Sequence, residues 1–193
     1  MPATRAAEFG LFSRQILRHP RQVSALAPSS PGLAAMMARQ LPVTATRVAE
    51  FGAGLGSLTR AILAAGIAPH DLTLFEVNDT FCASLRAAFP GVAIVNGPAQ
   101  GLAATEAGSL DAVVSGLPLL SMPADTQRDI LAAAFHALAP DGVYIQFTYG
   151  LFAPLRAAVA RDLGLTATRT ARVWKNIPPA TVYVYRRARN GTA

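Results

Sequence analysis

From residue 46 onward, short apolar runs rich in β-branched residues alternate with longer alanine- and leucine-rich stretches whose apolar positions recur at helical spacing. The pattern predicts strands at 46–51, 71–76, 92–96, 110–115, 142–149, 166–173 and 180–187. Helices are predicted at 57–66, 79–88, 124–139 and 154–163, each ending near Gly or Pro. Such alternation specifies a mostly parallel sheet covered on both faces, built as one α/β domain over residues 46–193. The last two strands are joined only through Asn176, Ile177, Pro178 and Pro179, too few residues for a crossover helix, so they should pair antiparallel. The expected fold is therefore a seven-stranded, mostly parallel sheet with a C-terminal antiparallel hairpin.

Residues 1–45 read as a separate unit of N-terminal helices. Over residues 3–18, helical spacing gathers Ala6, Phe9, Phe12, Ile16 and Leu17 on one side and Glu8, Arg14, Gln15 and Arg18 on the other. Two roles fit this segment: a helix packed on the sheet, or an interfacial helix and lid whose basic side meets anionic headgroups. In the second role Arg5, Arg14, Arg18 and Arg21 each contribute about 1 kcal/mol, enough for reversible attachment. A second helix should start at Pro31, with Ser30 as its N-cap.

Composition narrows the partners. The mean hydropathy of +0.34 is high, but the longest uncharged stretch, 87–105, is broken by Pro90, Gly91, Asn96, Gly97 and Pro98 and makes no membrane-spanning helix. No secretory signal is legible at the start, so a cytoplasmic location is expected, with any membrane contact peripheral to the inner membrane. One cysteine and three scattered histidines offer neither a disulfide nor a metal site, which points to an organic cofactor. The net charge of +6 divides into +5 over residues 1–47, −6 over 48–141 and +7 over 142–193. Basic ends around an acidic middle fit a surface that meets nucleic acid or anionic lipid. Coding bias toward arginine and alanine is the plainer explanation of the same numbers.

The most informative motif is Val48–Gly56, a strand running into Gly52-Ala53-Gly54-Leu55-Gly56 ahead of a helix at Ser57. A dinucleotide-binding turn requires its third glycine where Ser57 stands, so the spacing selects S-adenosylmethionine, held at a helix N-terminus in a Rossmann-like fold. Glu50 places a carboxylate near the cofactor's ammonium, and Glu76, closing the second strand, is placed to accept both ribose hydroxyls. Val77, Pro98 and Ala99 complete the expected contacts. An aspartate that often binds the adenine amine is replaced by Pro98, leaving backbone amides or Gln100 for that role. Ser29 and Ser30 are expected at the cofactor carboxylate or, alternatively, as plain N-caps.

The methyl acceptor should lie at Ser115-Gly116-Leu117-Pro118, at the carboxyl edge of the sheet. Here the chain is similar to ribosomal RNA adenine dimethylases, but it carries Ser115 for their asparagine, an inserted Gly116, and Leu119 for the aromatic that stacks on a flipped base. It more fully resembles the bacterial phospholipid N-methyltransferases. That resemblance runs through Leu17-Arg18-His19-Pro20-Arg21-Gln22-Val23, Ala27-Pro28-Ser29-Ser30, the glycine turn, Ser115–Pro118, Gln146-Phe147-Thr148-Tyr149-Gly150 and Trp174-Lys175-Asn176-Ile177-Pro178-Pro179-Ala180. It implies a class I methyltransferase that converts phosphatidylethanolamine toward phosphatidylcholine at a membrane surface, without nucleic acid or metal. An RNA adenine N6-methyltransferase is the alternative.

For such a reaction the amine must be neutral, which costs roughly 4 to 5 kcal/mol at pH 7 for a lysine-like group. Tyr149 and His19 are the candidate proton acceptors, with Ser115 beside them as a further catalytic candidate. Tyr149, Phe152 and Trp174 are candidates for an aromatic face toward the growing methylammonium, and a core position between the hairpin strands is equally open for Trp174. Arg21, Arg172 and Lys175 are the candidate cations for the lipid phosphate, with Leu117 and Pro118 lining the acceptor site.

Overall fold

The computed structural model describes residues 30–149, 152–174 and 179–188. Its strands are β1 (Val48–Phe51), β2 (Leu72–Glu76), β3 (Ala93–Asn96), β4 (Leu110–Ser115), β5 (Leu138–Thr148), β6 (Leu165–Val173) and β7 (Ala180–Arg187). They form one sheet in the order β3-β2-β1-β4-β5-β7-β6. The first five pair in parallel, and β7 inserts antiparallel between β5 and β6, so that β6 again points the way of β5. The predicted antiparallel hairpin is present, and β7 is the one reversed strand among those described.

The helices are α1 (Pro31–Ala38), α2 (Ser57–Ala64), α3 (Asp79–Ala88), α4 (Ala124–Ala137) and α5 (Ala157–Asp162). Strand alternation sorts the core into two layers. Val48, Leu72, Leu74, Ala112, Val114, Val143, Ile145, Val182 and Val184 pack beneath α1, α2 and α3. Ala49, Phe51, Phe75, Val113, Tyr144, Tyr183 and Tyr185 face α4 and α5. Helix α1 starts at Pro31, and Ser30 Oγ accepts the Leu33 N–H at 3.2 Å, as its sequence predicts. Leu33 and Met37 are fully buried in the first layer, so from Leu33 onward the expected unit 1–45 shares its core with the sheet. The amphipathic stretch 3–18 lies outside the described residues.

Two boundaries move for physical reasons. β5 starts four residues early because Leu138 pairs with Leu110 before a register shift. The last helix starts at Ala157 rather than 154 because the chain ahead of it is tied down: the Leu155 N–H donates to the Tyr185 hydroxyl and the Arg156 N–H to Gln127 Oε1. No described helix is long and apolar enough to cross a membrane.

The connection into β1 is fixed by one side chain. Asp111 Oδ2 accepts the N–H groups of Thr46 and Arg47 at 2.8 and 2.9 Å and the Thr46 hydroxyl at 3.1 Å. Burial opposes the charge, but these donors outweigh it and hold the carboxyl below the usual aspartate range. Asp111→Ala should lower stability by about 1 to 2 kcal/mol, read from the urea midpoint at neutral pH. An unchanged midpoint would mean that the carboxylate does not anchor this connection.

Candidate active site

The carboxyl ends of β1, β2 and β4 are joined through backbone bonds. The Gly52 N–H donates to the Phe75 carbonyl and the Gly116 N–H to the Phe51 carbonyl, both at 2.8 Å. A Cβ on Gly116 would stand 3.0 Å from the Gly52 carbonyl oxygen, so the inserted glycine is what allows this approach. The three turn glycines have positive φ but serve different ends. At Gly52 an added Cβ would meet Leu117 Cδ2 at 2.9 Å, whereas at Gly54 it would face open space. At Gly56 it would strike the Phe89 ring at 2.4 Å. Gly56, expected among the cofactor contacts, also lets Phe89 pack closely against the start of α2.

Glu76 is 8% exposed, and its two oxygens accept the Gly54 and Asn78 N–H groups, each at 2.9 Å. A carboxylate has about four lone-pair sites, so capacity remains on each oxygen for a vicinal diol. Val77 beside it is 68% exposed and Ala99 is buried, while Pro98 is exposed at the surface. Glu50 is fully buried beneath α2. Its Oε2 accepts the Thr59 hydroxyl at 2.7 Å, and its Oε1 has no partner. Burial first, and the charge of Glu76 after it, push the Glu50 carboxyl up to about 8 against the opposing Thr59 bond.

At the acceptor loop, Ser115 is fully buried. Its hydroxyl takes the Leu117 N–H at 3.3 Å and bonds to the Tyr144 hydroxyl, so it braces the loop from below. The Ser115 side chain, expected at the cofactor and the reacting amine, is thus buried and hydrogen-bonded to Leu117 and Tyr144. The Tyr144 hydroxyl donates to Gln146 Oε1 at 3.2 Å, and Gln146 Nε2 donates to the Leu117 carbonyl at 2.8 Å. The Leu119 N–H donates to that same carbonyl at 2.9 Å, which occupies both of its lone pairs. Burial drives the Tyr144 hydroxyl pKa upward and keeps it protonated.

Tyr149 follows the end of β5, half-buried and edge-on to Phe147 with ring centroids 5.1 Å apart. Arg172 and Trp174 end β6 at the same edge, with the guanidinium 4.3 Å over the indole ring. Trp174 is 70% exposed, so the alternative of a core side chain between the hairpin strands does not hold. The guanidinium already covers one face of its ring, and Phe152 is 78% exposed. The structure thus brings Glu50, Gly52, Gly54, Glu76, Val77, Ala99, Leu117, Pro118, Tyr149, Arg172 and Trp174 to one edge. His19, Arg21, Ser29 and Lys175 lie outside the described residues, and Ser30 serves as the N-cap of α1.

Sequence reasoning missed Thr59, Tyr144 and Gln146 as parts of the site. The available signal was Gln146 itself, a polar residue inside the apolar run Val143–Phe147 and buried to 0% exposure.

The strand order, the glycine turn and the acid closing β2 define an α/β transferase that binds a nucleoside-bearing cofactor at the carboxyl edge. Residues 48–142 match a family described as "Methyltransferase domain". A relative, the ornithine lipid N-methyltransferase of Singulisphaera acidiphila, is 34% identical over 149 residues, covering 73% of this chain and 78% of that one. The chain belongs to the class I S-adenosylmethionine-dependent methyltransferases, and S-adenosylmethionine is its cofactor. Among solved structures, the 1,6-didemethyltoxoflavin-N1-methyltransferase of Burkholderia thailandensis superposes with a TM-score of 0.65 at 17% identity, covering 97% of this chain and 92% of that one. A TehB-like methyltransferase from Corynebacterium glutamicum gives 0.60 at 17%, covering 95% and 100%. These two share the fold.

The residues present fit a cationic cofactor, because the unpartnered Glu50 Oε1 lies under the turn whose Gly54 faces open space. Without that ligand, the unfolded chain releases the Glu50 proton near 4.5 and the folded chain near 8. The contribution to stability is therefore complete below pH 4.5 and declines as pH rises, by roughly 3 kcal/mol at pH 7. Glu50→Gln should abolish that decline in ligand-free protein, measured by denaturant titration at a series of pH values. An equal decline in the variant would assign it to another group. Gln146→Leu should leave cofactor affinity within about twofold and reduce turnover roughly 10-fold to 100-fold, the expected range when a positioned site loosens by about 1 Å. A fall in cofactor affinity with unchanged turnover would count against a bracing role.

Proposed function

We propose that this enzyme methylates the amine of a lipid headgroup, that of phosphatidylethanolamine and then of its mono- and dimethyl forms, at a membrane surface. The observation carrying this reading is the acceptor edge itself. The Leu117 carbonyl is closed by two donors, and Leu119 is buried where a base-stacking ring would have to project. A flipped base finds neither of its usual partners there. Beside the loop stand Tyr149 and the Arg172–Trp174 pair, which suit an aliphatic ammonium tethered to an anion. The relative whose name specifies a lipid amine substrate supports the same class.

The bound cofactor supplies an electrophilic methyl group for in-line transfer to a neutral amine. In this reading Glu76 accepts the ribose hydroxyls, Glu50 answers the cofactor's ammonium, and Val77 and Ala99 flank the adenine. Leu117 and Pro118 wall the acceptor site. In this proposal the half-buried Tyr149 orients the amine by accepting a hydrogen bond from it, and His19 takes the proton that the amine must lose before transfer. Arg172 binds the headgroup phosphate, together with Arg21 and Lys175.

A second reading is carried by the relative: an ornithine lipid also presents an aliphatic amine near an anion, in its case a carboxylate. Methyl-labelled cofactor supplied with phosphatidylethanolamine vesicles, ornithine lipid vesicles, RNA or free ethanolamine should label phosphatidylethanolamine. Label in ornithine lipid alone would overturn the named substrate but keep the lipid amine. Label absent from both lipids, with cofactor binding intact, would overturn the class.

A further inference from the structure

Among the described residues, the large apolar side chains left exposed are Val43, Leu55, Val77, Val95, Leu120, Phe152 and Trp174. Leu55, Val77, Leu120, Phe152 and Trp174 lie on connections leaving the carboxyl ends of β1, β2, β4, β5 and β6, which all emerge at one edge. Leu55 and Val77 adjoin the glycine turn and Glu76 and belong to the cofactor half. Leu120, Phe152 and Trp174 belong to the acceptor half, where they are 43%, 78% and 70% exposed. From β4 to β6 they span three strand spacings, about 14 Å of edge.

Charge accompanies the apolar groups. Arg156 shares the connection of Phe152, and Arg172 stacks on Trp174. Asp125, in the first turn of α4, shares Arg128 with Asp162 at 2.8 and 2.9 Å, so that acidic pair is partly neutralised. An indole and a phenyl ring beside guanidinium groups match the headgroup layer of a bilayer, where aromatic rings sit at the polar boundary and cations meet phosphate.

We propose that Leu120, Phe152 and Trp174 form an insertion rim by which the catalytic domain itself docks on a lipid bilayer, with Arg156 and Arg172 at the phosphates. The inference rests on the lipid-amine reading and extends it: the acceptor edge lies against the membrane, and the headgroup reaches Leu117–Pro118 while its acyl chains stay in the bilayer.

Trp174 is the only tryptophan in the sequence, so intrinsic fluorescence of the full chain reports on the rim alone. Vesicles of phosphatidylethanolamine and phosphatidylglycerol should shift its emission to the blue, and brominated acyl chains should quench it. The double variant Leu120→Ser/Phe152→Ser should weaken vesicle partitioning at least tenfold while cofactor binding is unchanged. Emission unmoved by vesicles that do bind the protein would overturn the rim and assign attachment to another segment, such as residues 1–29. Emission already blue and unchanged on adding lipid would also overturn it, giving the rim to residues 1–29 or to a second copy. Transfer to a short-chain, water-soluble phosphatidylethanolamine is measured alongside. Its failure would strike the lipid-amine reading, whereas its success with a silent Trp174 would strike the rim alone.

Discussion

The functional edge depends on three backbone hydrogen bonds that stitch successive strand ends together. The Gly52 N–H reaches the Phe75 carbonyl, the Gly97 N–H the Glu76 carbonyl, and the Gly116 N–H the Phe51 carbonyl. Strand ends usually diverge into loops, and here they remain in register one residue past the sheet. That extension puts Glu76 within reach of the Gly54 amide and brings Leu117 against Gly52. Position 116 requires glycine because a Cβ there would stand 3.0 Å from the Gly52 carbonyl oxygen, and position 52 because its φ of 69° is one that L side chains rarely adopt. The cofactor turn and the acceptor loop are therefore one rigid assembly, as in-line transfer demands.

Two carboxylates on the same sheet face are used in opposite ways. Glu76 is nearly buried yet satisfied by two amides, so its position is fixed before any ligand arrives. Glu50 is buried with one oxygen unpartnered, a deficit that costs stability and favours the protonated acid. In the proposed reading, a cationic ligand above the turn would offset that deficit and couple binding to release of the Glu50 proton.

Legibility in the sequence followed the range of the interaction. Short apolar runs set between helical stretches placed all seven strands, because that signal is carried by neighbouring residues. The glycine turn and the acids ending β1 and β2 were legible because strand, turn and helix lie within about 30 residues of one another. What local pattern could not carry was pairing across the sheet. The insertion of β7 between β5 and β6, the Gln146 bond to Leu117 across 29 residues, and the Gly56 contact with Phe89 all depend on strand order and helix docking. The bracing of Ser115 was illegible for that reason: its position at the end of β4 is local, and the Tyr144 hydroxyl bonded to it comes from another strand.

The two halves of the edge are built from different materials, and their chemistry follows. The cofactor half uses backbone N–H groups, glycines and buried carboxylates, a construction that tolerates little change and holds one ligand. The acceptor half, in the proposed reading, uses a braced loop, Tyr149 and Phe152 on the connection after β5, and Arg172 and Trp174 at the end of β6. Divergence between relatives acting on different lipid amines is therefore expected in the acceptor connections, while the stitched strand ends stay fixed. On this division, the anion beside the amine is the feature that tells one lipid from another. In the proposed reading, a carboxylate would take the Arg172 guanidinium through two coplanar oxygens and a phosphodiester through tetrahedral ones, so the orientation set by the Trp174 ring would bias which headgroup brings its nitrogen in line with the methyl group.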